Sequence, residues 1–247
     1  MISKEKLIEY ARLKGYNLGQ AEKDYFQEII LFILYSEFGK ELVFKGGTAL
    51  TKCYGFDRFS EDLDFTAAVK KDFNTIISNG LKNYFLEFTA KEKETDGSNN
   101  LIYRINGPLY VGQENSTCKI SLDISIREKA KLPALIKRIG LHIEEIPSFD
   151  VSVMDEKEIL AEKVRAIITR NKARDLYDIY YLLKKGIKKD YKIIEDKLNF
   201  YSVKFDKALF KKSVILKKVI WSSELKHLVK SVPDFNEVKD YVIKAFN

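Results

Sequence analysis

Residues 45–66 read "KGGTALTKCYGFDRFSEDLDFT", and the architecture follows from the order of local signals within them. The apolar run "ELVFK" (41–45) reads as a short buried strand ending at Gly46-Gly47-Thr48, a tight turn. "TALTKCYG" follows with the character of a helix of about two turns, and "DLDFTA" with that of a second strand. Side chains two apart on a strand share a face, so Asp62 and Asp64 point one way, their Cβ atoms roughly 7 Å apart, while Leu63 and Phe65 point into a core. Like charges on one face repel, so the pair asks for a counter-charge.

Upstream, "AEKDYFQEIILFILYSEFGK" carries apolar residues at helical spacing up to a stop at Gly39, and Ser3 can cap a shorter helix before it. Downstream, "KKDFNTIISNGLKNYF" is an amphipathic helix. "LEFTAKEKE", "NLIYRINGPL" and "TCKISLDISIR" are strands, with "TDGSNN" (95–100) a hairpin-like loop. Asp155 and Glu158 form a D-x-x-E capping pattern opening "EKEILAEKVRAIITR", and only helical patterns follow. The expected fold is α+β (α/β): a mixed sheet flanked by helices over residues 1–150, then an all-helical bundle over residues 151–247 that closes a cleft.

The chain has 247 residues, 45% hydrophobic and 32% charged, the make-up of a globular protein with a real core. The most apolar stretch, "IILFILY", is too short to span a membrane, and no secretory h-region follows the N-terminal charges. Cys53 and Cys118 read as buried reduced thiols, and the cytoplasm is the expected compartment. Between Lys184 and Lys230 fourteen lysines face five acids, a net of +9 against +7 for the whole chain. That imbalance suits a phosphate-rich partner.

Three further observations bear on the aspartates. A divalent cation relieves their repulsion, and Mg²⁺ takes hard oxygen ligands from one or two carboxylates plus substrate phosphates. In "KISLDISIR", Ile120, Leu122, Ile124 and Ile126 share one face and Asp123 stands on the other, a third strand-borne acid for a site of two cations. Gly46, Gly47 and Thr48 let backbone amides approach a phosphate at a helix start. In the helical half, Leu160, Val164, Ile167 and Ile168 form an apolar stripe bordered by Lys163 and Arg170, which read either as snorkelling stems or as site cations. In the next helix Leu176, Ile179, Tyr180 and Leu183 are core positions. Asp175 and Asp178 are like charges at i, i+3, and Arg174 is spaced to pair with Asp178. Neither His142 nor His227 has a partner at catalytic spacing.

"KGGTAL" followed by "RFSEDLDF" resembles the nucleotidyltransferase superfamily. With "EILAEKVRAIITRNKARDLYDIYYLL" it resembles the AbiEii/AbiGii branch, the toxin half of type IV toxin-antitoxin and abortive-infection systems. The likeness covers residues 45–183, and Gly-Gly-Thr replaces the Gly-Ser of many superfamily members. It implies Mg²⁺ (two ions, with Mn²⁺ an alternative) on Asp62, Asp64 and Asp123, and an NTP as substrate. It implies catalytic roles for Lys163 and Asp175, with Asp178 the second acid, and Lys163, Arg165 and Arg170 directed at the nucleotide's phosphates. Asp175 would then orient Lys163 or act as a general base. An RNA acceptor, the tRNA 3′ end foremost, and a cognate antitoxin that need not bind stably are also implied. Transfer to a protein or small molecule is the rival enzymatic reading. A non-catalytic nucleotide- or RNA-binding protein is the rival outside the enzymes.

Overall fold

The computed structural model describes residues 1–95, 97–140 and 146–247. The chain forms two compact units. One comprises Met1–Tyr54, Ser60–Ala130 and Ala134–Val153; the other comprises Gly55–Phe59, Lys131–Pro133 and Met154–Asn247.

The first unit begins with helix α1 (Lys4–Lys14), where the Ser3 side chain accepts from the Lys6 amide and Gly15, at φ 68°, ends the helix. Helix α2 (Leu18–Phe38) opens with a reciprocal capping box between Asn17 and Gln20. It is buried along most of its length, and it carries charge into the interior. Lys52 sits 2.6 Å from Asp24 and 3.3 Å from Glu28. Burial alone would lower the Lys52 ammonium, but the two carboxylates outweigh it and hold it well above the usual lysine range.

Strand β1 (Leu42–Lys45) runs straight into helix α3 (Gly46–Tyr54), and strand β2 (Leu63–Ala67) returns antiparallel beside β1. After helix α4 (Phe73–Asn83) come strands β3 (Phe88–Thr95), β4 (Ser98–Ile105), β5 (Cys118–Ser125), β6 (Leu135–Ile139) and β7 (Phe149–Val153). They make one mixed sheet in the order β3-β4-β5-β2-β1-β7-β6. Leu42, Phe44, Leu63, Phe65, Leu122 and Ile124 are buried in its core, and Phe44 stacks on Phe65 at 5.3 Å. The expected loop over 95–100 is shorter than its polar composition suggests. Both strands continue to Thr95 and Ser98, because eight cross-strand pairs outweigh the turn preference of Ser98, Asn99 and Asn100. Asp96 lies outside the described residues. The β6–β7 hairpin carries no clear alternation, since most of β6 is exposed, and β7 is held in the sheet by its parallel pairing with β1.

The second unit contains α5 (Glu156–Thr169), α6 (Ala173–Lys184), α7 (Tyr191–Asn199), α8 (Lys207–Leu216), α9 (Trp221–Leu225) and α10 (Phe235–Phe246). Helix α5 is enclosed by α6, α7 and α8, so its burial extends beyond the expected stripe to Ile159 and Ala161, while Ile168 is only partly buried. In α6, Leu182 rather than Leu183 is the buried neighbour. Asp155 caps α5 through the Lys157 amide. Glu158 does not complete the expected capping box. It is fully buried and accepts from the Lys131 and Leu132 amides at 2.8 to 2.9 Å, with Lys197 at 2.7 Å. A tertiary partner set stronger than the local one has captured it.

Among the described residues no helix is long and apolar enough to cross a membrane. Both cysteines are free thiols, Cys118 buried and Cys53 partly so, and burial pushes each up to about 12.

Candidate active site

Strand pairing decides where the acids go. Strands β2 and β5 run parallel with Asp64 opposite Asp123, while β1 places Lys45 opposite Asp64 and β4 places Asn100 opposite Asp123. One row across four strands therefore reads Asn100, Asp123, Asp64, Lys45. Asp62, two residues before Asp64, shares its parity at the mouth of β2. Asp62 and Asp64 are partly exposed and Asp123 is exposed.

The approach to this row is fixed by side chains from elsewhere in the unit. Gln27 of α2 donates its amide to the carbonyls of Ser60 and Glu61, both at 3.0 Å, and the Thr48 hydroxyl donates to the carbonyl of Asp62. Three successive carbonyls leading into β2 are thus held. Gly46 has φ 76°, and a Cβ there would stand 2.1 Å from Asp64 Oδ2. The glycine is required twice, by backbone conformation and by the carboxylate lying against it.

The second unit holds a separate cluster. Lys163 Nζ of α5 lies 3.1 Å from Asp175 Oδ1 and 2.7 Å from Asp178 Oδ2 of α6. Each of those carboxylates also receives a two-pronged guanidinium. Arg170 binds Asp175 at 2.8 and 2.9 Å, and Arg58 binds Asp178 at 2.6 and 2.8 Å. The fork on Asp178 thus comes from Arg58, 120 residues earlier, where sequence spacing offers the helix neighbour Arg174. Desolvation raises both carboxyls, but Lys163 and Arg170 around Asp175, and Arg58 and Lys163 around Asp178, outweigh it, holding Asp175 well below the usual carboxylate range and lowering Asp178. Asp175 and Asp178 are fully buried, Lys163 nearly so, and the Arg170 side chain is half exposed. Arg165 stands apart from these contacts, its guanidinium 4.5 Å over the Tyr201 ring. Sequence spacing does not single out Arg58, which stands as one cation beside the D-x-D strand with nothing near it in the chain that points to its partner.

Of the fourteen lysines between Lys184 and Lys230, Lys197 and Lys217 are buried in internal contacts and eleven are exposed. The surplus is therefore largely a surface property. His142 lies outside the described residues.

Residues 29–243 match the family model of the AbiEii toxin nucleotidyltransferase of type IV toxin-antitoxin systems. The chain belongs to the AbiEii family. It is accordingly an enzyme of the nucleotidyl-transfer type, the toxin of a type IV toxin-antitoxin system, which implies an NTP substrate and a cognate antitoxin.

Solved structures with the same fold include the nucleotidyltransferase toxin MenT4 of Mycobacterium tuberculosis. At 20% identity and TM-score 0.68, the match covers 100% of this chain and 89% of MenT4. A putative nucleotidyltransferase from Helicobacter pylori matches at 21% identity and TM-score 0.62, over 90% of this chain and 92% of its own. JHP933 from Helicobacter pylori matches at 20% identity and TM-score 0.60, over 99% and 91%. Nothing among curated proteins matches.

AbiEii members are nucleotidyltransferases, a class that generally uses divalent metals, and the donor chemistry of the acid row fits such an ion. Its ligands are hard carboxylate oxygens, and the absent side chain of Gly46 leaves Asp64 room at the turn. Among the described residues no three acidic, histidine or cysteine side chains are gathered into a ready cage. Mg²⁺ does not demand one, since substrate phosphates complete its shell.

Proposed function

We propose that this AbiEii-family enzyme is a Mg²⁺-dependent nucleotidyltransferase that moves NMP from an NTP to an RNA acceptor, the tRNA 3′ end foremost, with release of pyrophosphate. The observation that carries the reading is the register of Asp64 with Asp123 beside the Gly46 turn. Asp62, Asp64 and Asp123 would hold the ion or ions, which when bound polarise the α-phosphate and favour an acceptor oxygen as nucleophile. The amides of Gly46 and Gly47 are directed to phosphate, and Thr48 braces the turn through the Asp62 carbonyl. Lys163 and Arg170 supply positive charge to the phosphates, with Arg165 a further cation of the same helix. Asp175 and Asp178 hold Lys163. The exposed lysine surplus supports RNA over a protein or small-molecule acceptor.

The test is incubation with Mg²⁺, each α-labelled NTP in turn, and total cellular RNA or protein. Label is expected in RNA. Asp62→Asn, Asp64→Asn and Asp123→Asn are each expected to lower transfer by more than the roughly 100-fold that loss of a supporting partner costs a metal site. RNA affinity is expected to fall by about tenfold or more between about 50 and 200 mM salt. Label in protein, or unchanged transfer in the Asp62→Asn and Asp64→Asn chains, would refute the reading.

A further inference from the structure

The cluster around Lys163 has an asymmetry that the roles proposed above leave unexplained. Three cations, Arg58, Lys163 and Arg170, meet two carboxylates. Each carboxylate is gripped by its own guanidinium with two parallel hydrogen bonds, the arrangement that best matches and neutralises a carboxylate. The ammonium is shared between the two, hydrogen-bonded to Asp175 at 3.1 Å and ion-paired with Asp178 at 2.7 Å, so these three cations exceed the two carboxylates by one positive charge.

Arg58 is the unexpected member. It is fully buried and also donates to the carbonyl of Phe59 at 2.9 Å. Its segment, Gly55–Phe59, leaves the sheet unit, belongs to the helical unit, and leads directly into the D-x-D strand. A buried ion pair adds little stability over a well-packed apolar pair. Placing a guanidinium here therefore calls for another reason, and the neighbouring ammonium supplies one.

We propose that Arg58 is a positioning residue that takes up much of the charge of Asp178 and thereby leaves net positive charge at Lys163 to act on a phosphate anion. The inference rests on the reading that Lys163 serves the NTP's phosphates. With Arg58 removed, Asp178 would have Lys163 as its main counter-ion, the ammonium would pair fully with it, and the site would lose its surplus cation. With Asp178 removed as well, the surplus returns, but the ammonium loses one of its two anchors.

The test uses the full chain, with inorganic tripolyphosphate plus Mg²⁺ as a binding probe that needs no acceptor, beside label transfer from the NTP. Arg58→Met is expected to weaken tripolyphosphate binding at least tenfold. The double variant Arg58→Met/Asp178→Leu is expected to melt within a few degrees of wild type and to bind within about threefold of it. Its transfer rate is expected to fall at least tenfold, because binding follows the charge and turnover follows the placement of the ammonium. Arg58→Lys, which keeps the charge without the fork, is expected to fall between. Unchanged binding in Arg58→Met overturns this inference alone, as does lost binding in a folded double variant, since affinity would then follow shape and not charge. If Arg58→Met does not fold, the double variant decides on the same criteria. Failure of the wild-type chain to bind tripolyphosphate overturns the phosphate reading of Lys163 and, with it, this inference.

Discussion

At Gly46 two separate constraints fall on one atom that is not there. The backbone at φ 76° disfavours any side chain, and a Cβ would press on the Asp64 carboxylate from 2.1 Å. Gly46→Ala is therefore expected to cost about 1 to 2 kcal/mol from the backbone alone, and to lower transfer further than the stability loss explains, because Asp64 must move. Thermal melts and label transfer measured side by side separate the two effects. Gln27 acts at a distance on the same strand, holding the carbonyls of Ser60 and Glu61. Gln27→Leu leaves both without that donor inside the protein, an expected loss of about 1 to 3 kcal/mol. Transfer should fall while the NTP's KM moves little, since Gln27 sets the strand and touches no phosphate; an unchanged melt and rate would exclude the bracing role.

At the scale of elements, the α5–α6 pair is held by charges that have a preferred pH range. Asp175 and Asp178 have folded-state values held below their unfolded ones by Lys163, Arg170 and Arg58. Their contribution is fully present above the unfolded value of about 3.9 and is lost as pH falls below it. The expected stability of the helical unit is therefore steady from neutral pH to about 4 and drops steeply below. A circular-dichroism acid titration measures this, and Asp178→Asn should flatten the drop while lowering the plateau, because Arg58 is then buried without its counter-ion. Unfolding well above pH 5 would show that these carboxylates are not paired as described. In the sheet unit the decisive element relation is β2 beside β5, parallel and in register. A slip of one residue would turn Asp123 to the opposite face.

Across the whole molecule, the helical unit is not a continuous stretch of chain. It takes in Gly55–Phe59 and Lys131–Pro133, and each insertion satisfies a fully buried carboxylate, Arg58 at Asp178 and the Lys131 and Leu132 amides at Glu158. A 154–247 fragment lacks both sets of donors. It is expected to be largely unfolded, or several kcal/mol less stable than the same helices in the full chain. Hydrogen exchange on fragment and full chain gives the answer, and equal protection would refute it.

Local sequence is enough to set the strand period that puts Asp62 and Asp64 on one face, the glycine turn before α3, Ser3 and Asp155 as helix caps, and the helical character of the chain after residue 155. These are local, set by neighbours within a turn or two of chain. Tertiary structure alone decided which acid on a later strand lines up with Asp64, which buried amide steadies the approach to β2, and why Glu158 abandons its capping box. It also decided that Asp178 takes its guanidinium from Arg58. Each of these depends on partners 26 to 120 residues apart, and no periodicity encodes which distant partner a buried charge will find. What selects it is the cost of leaving that charge unpaired in the interior.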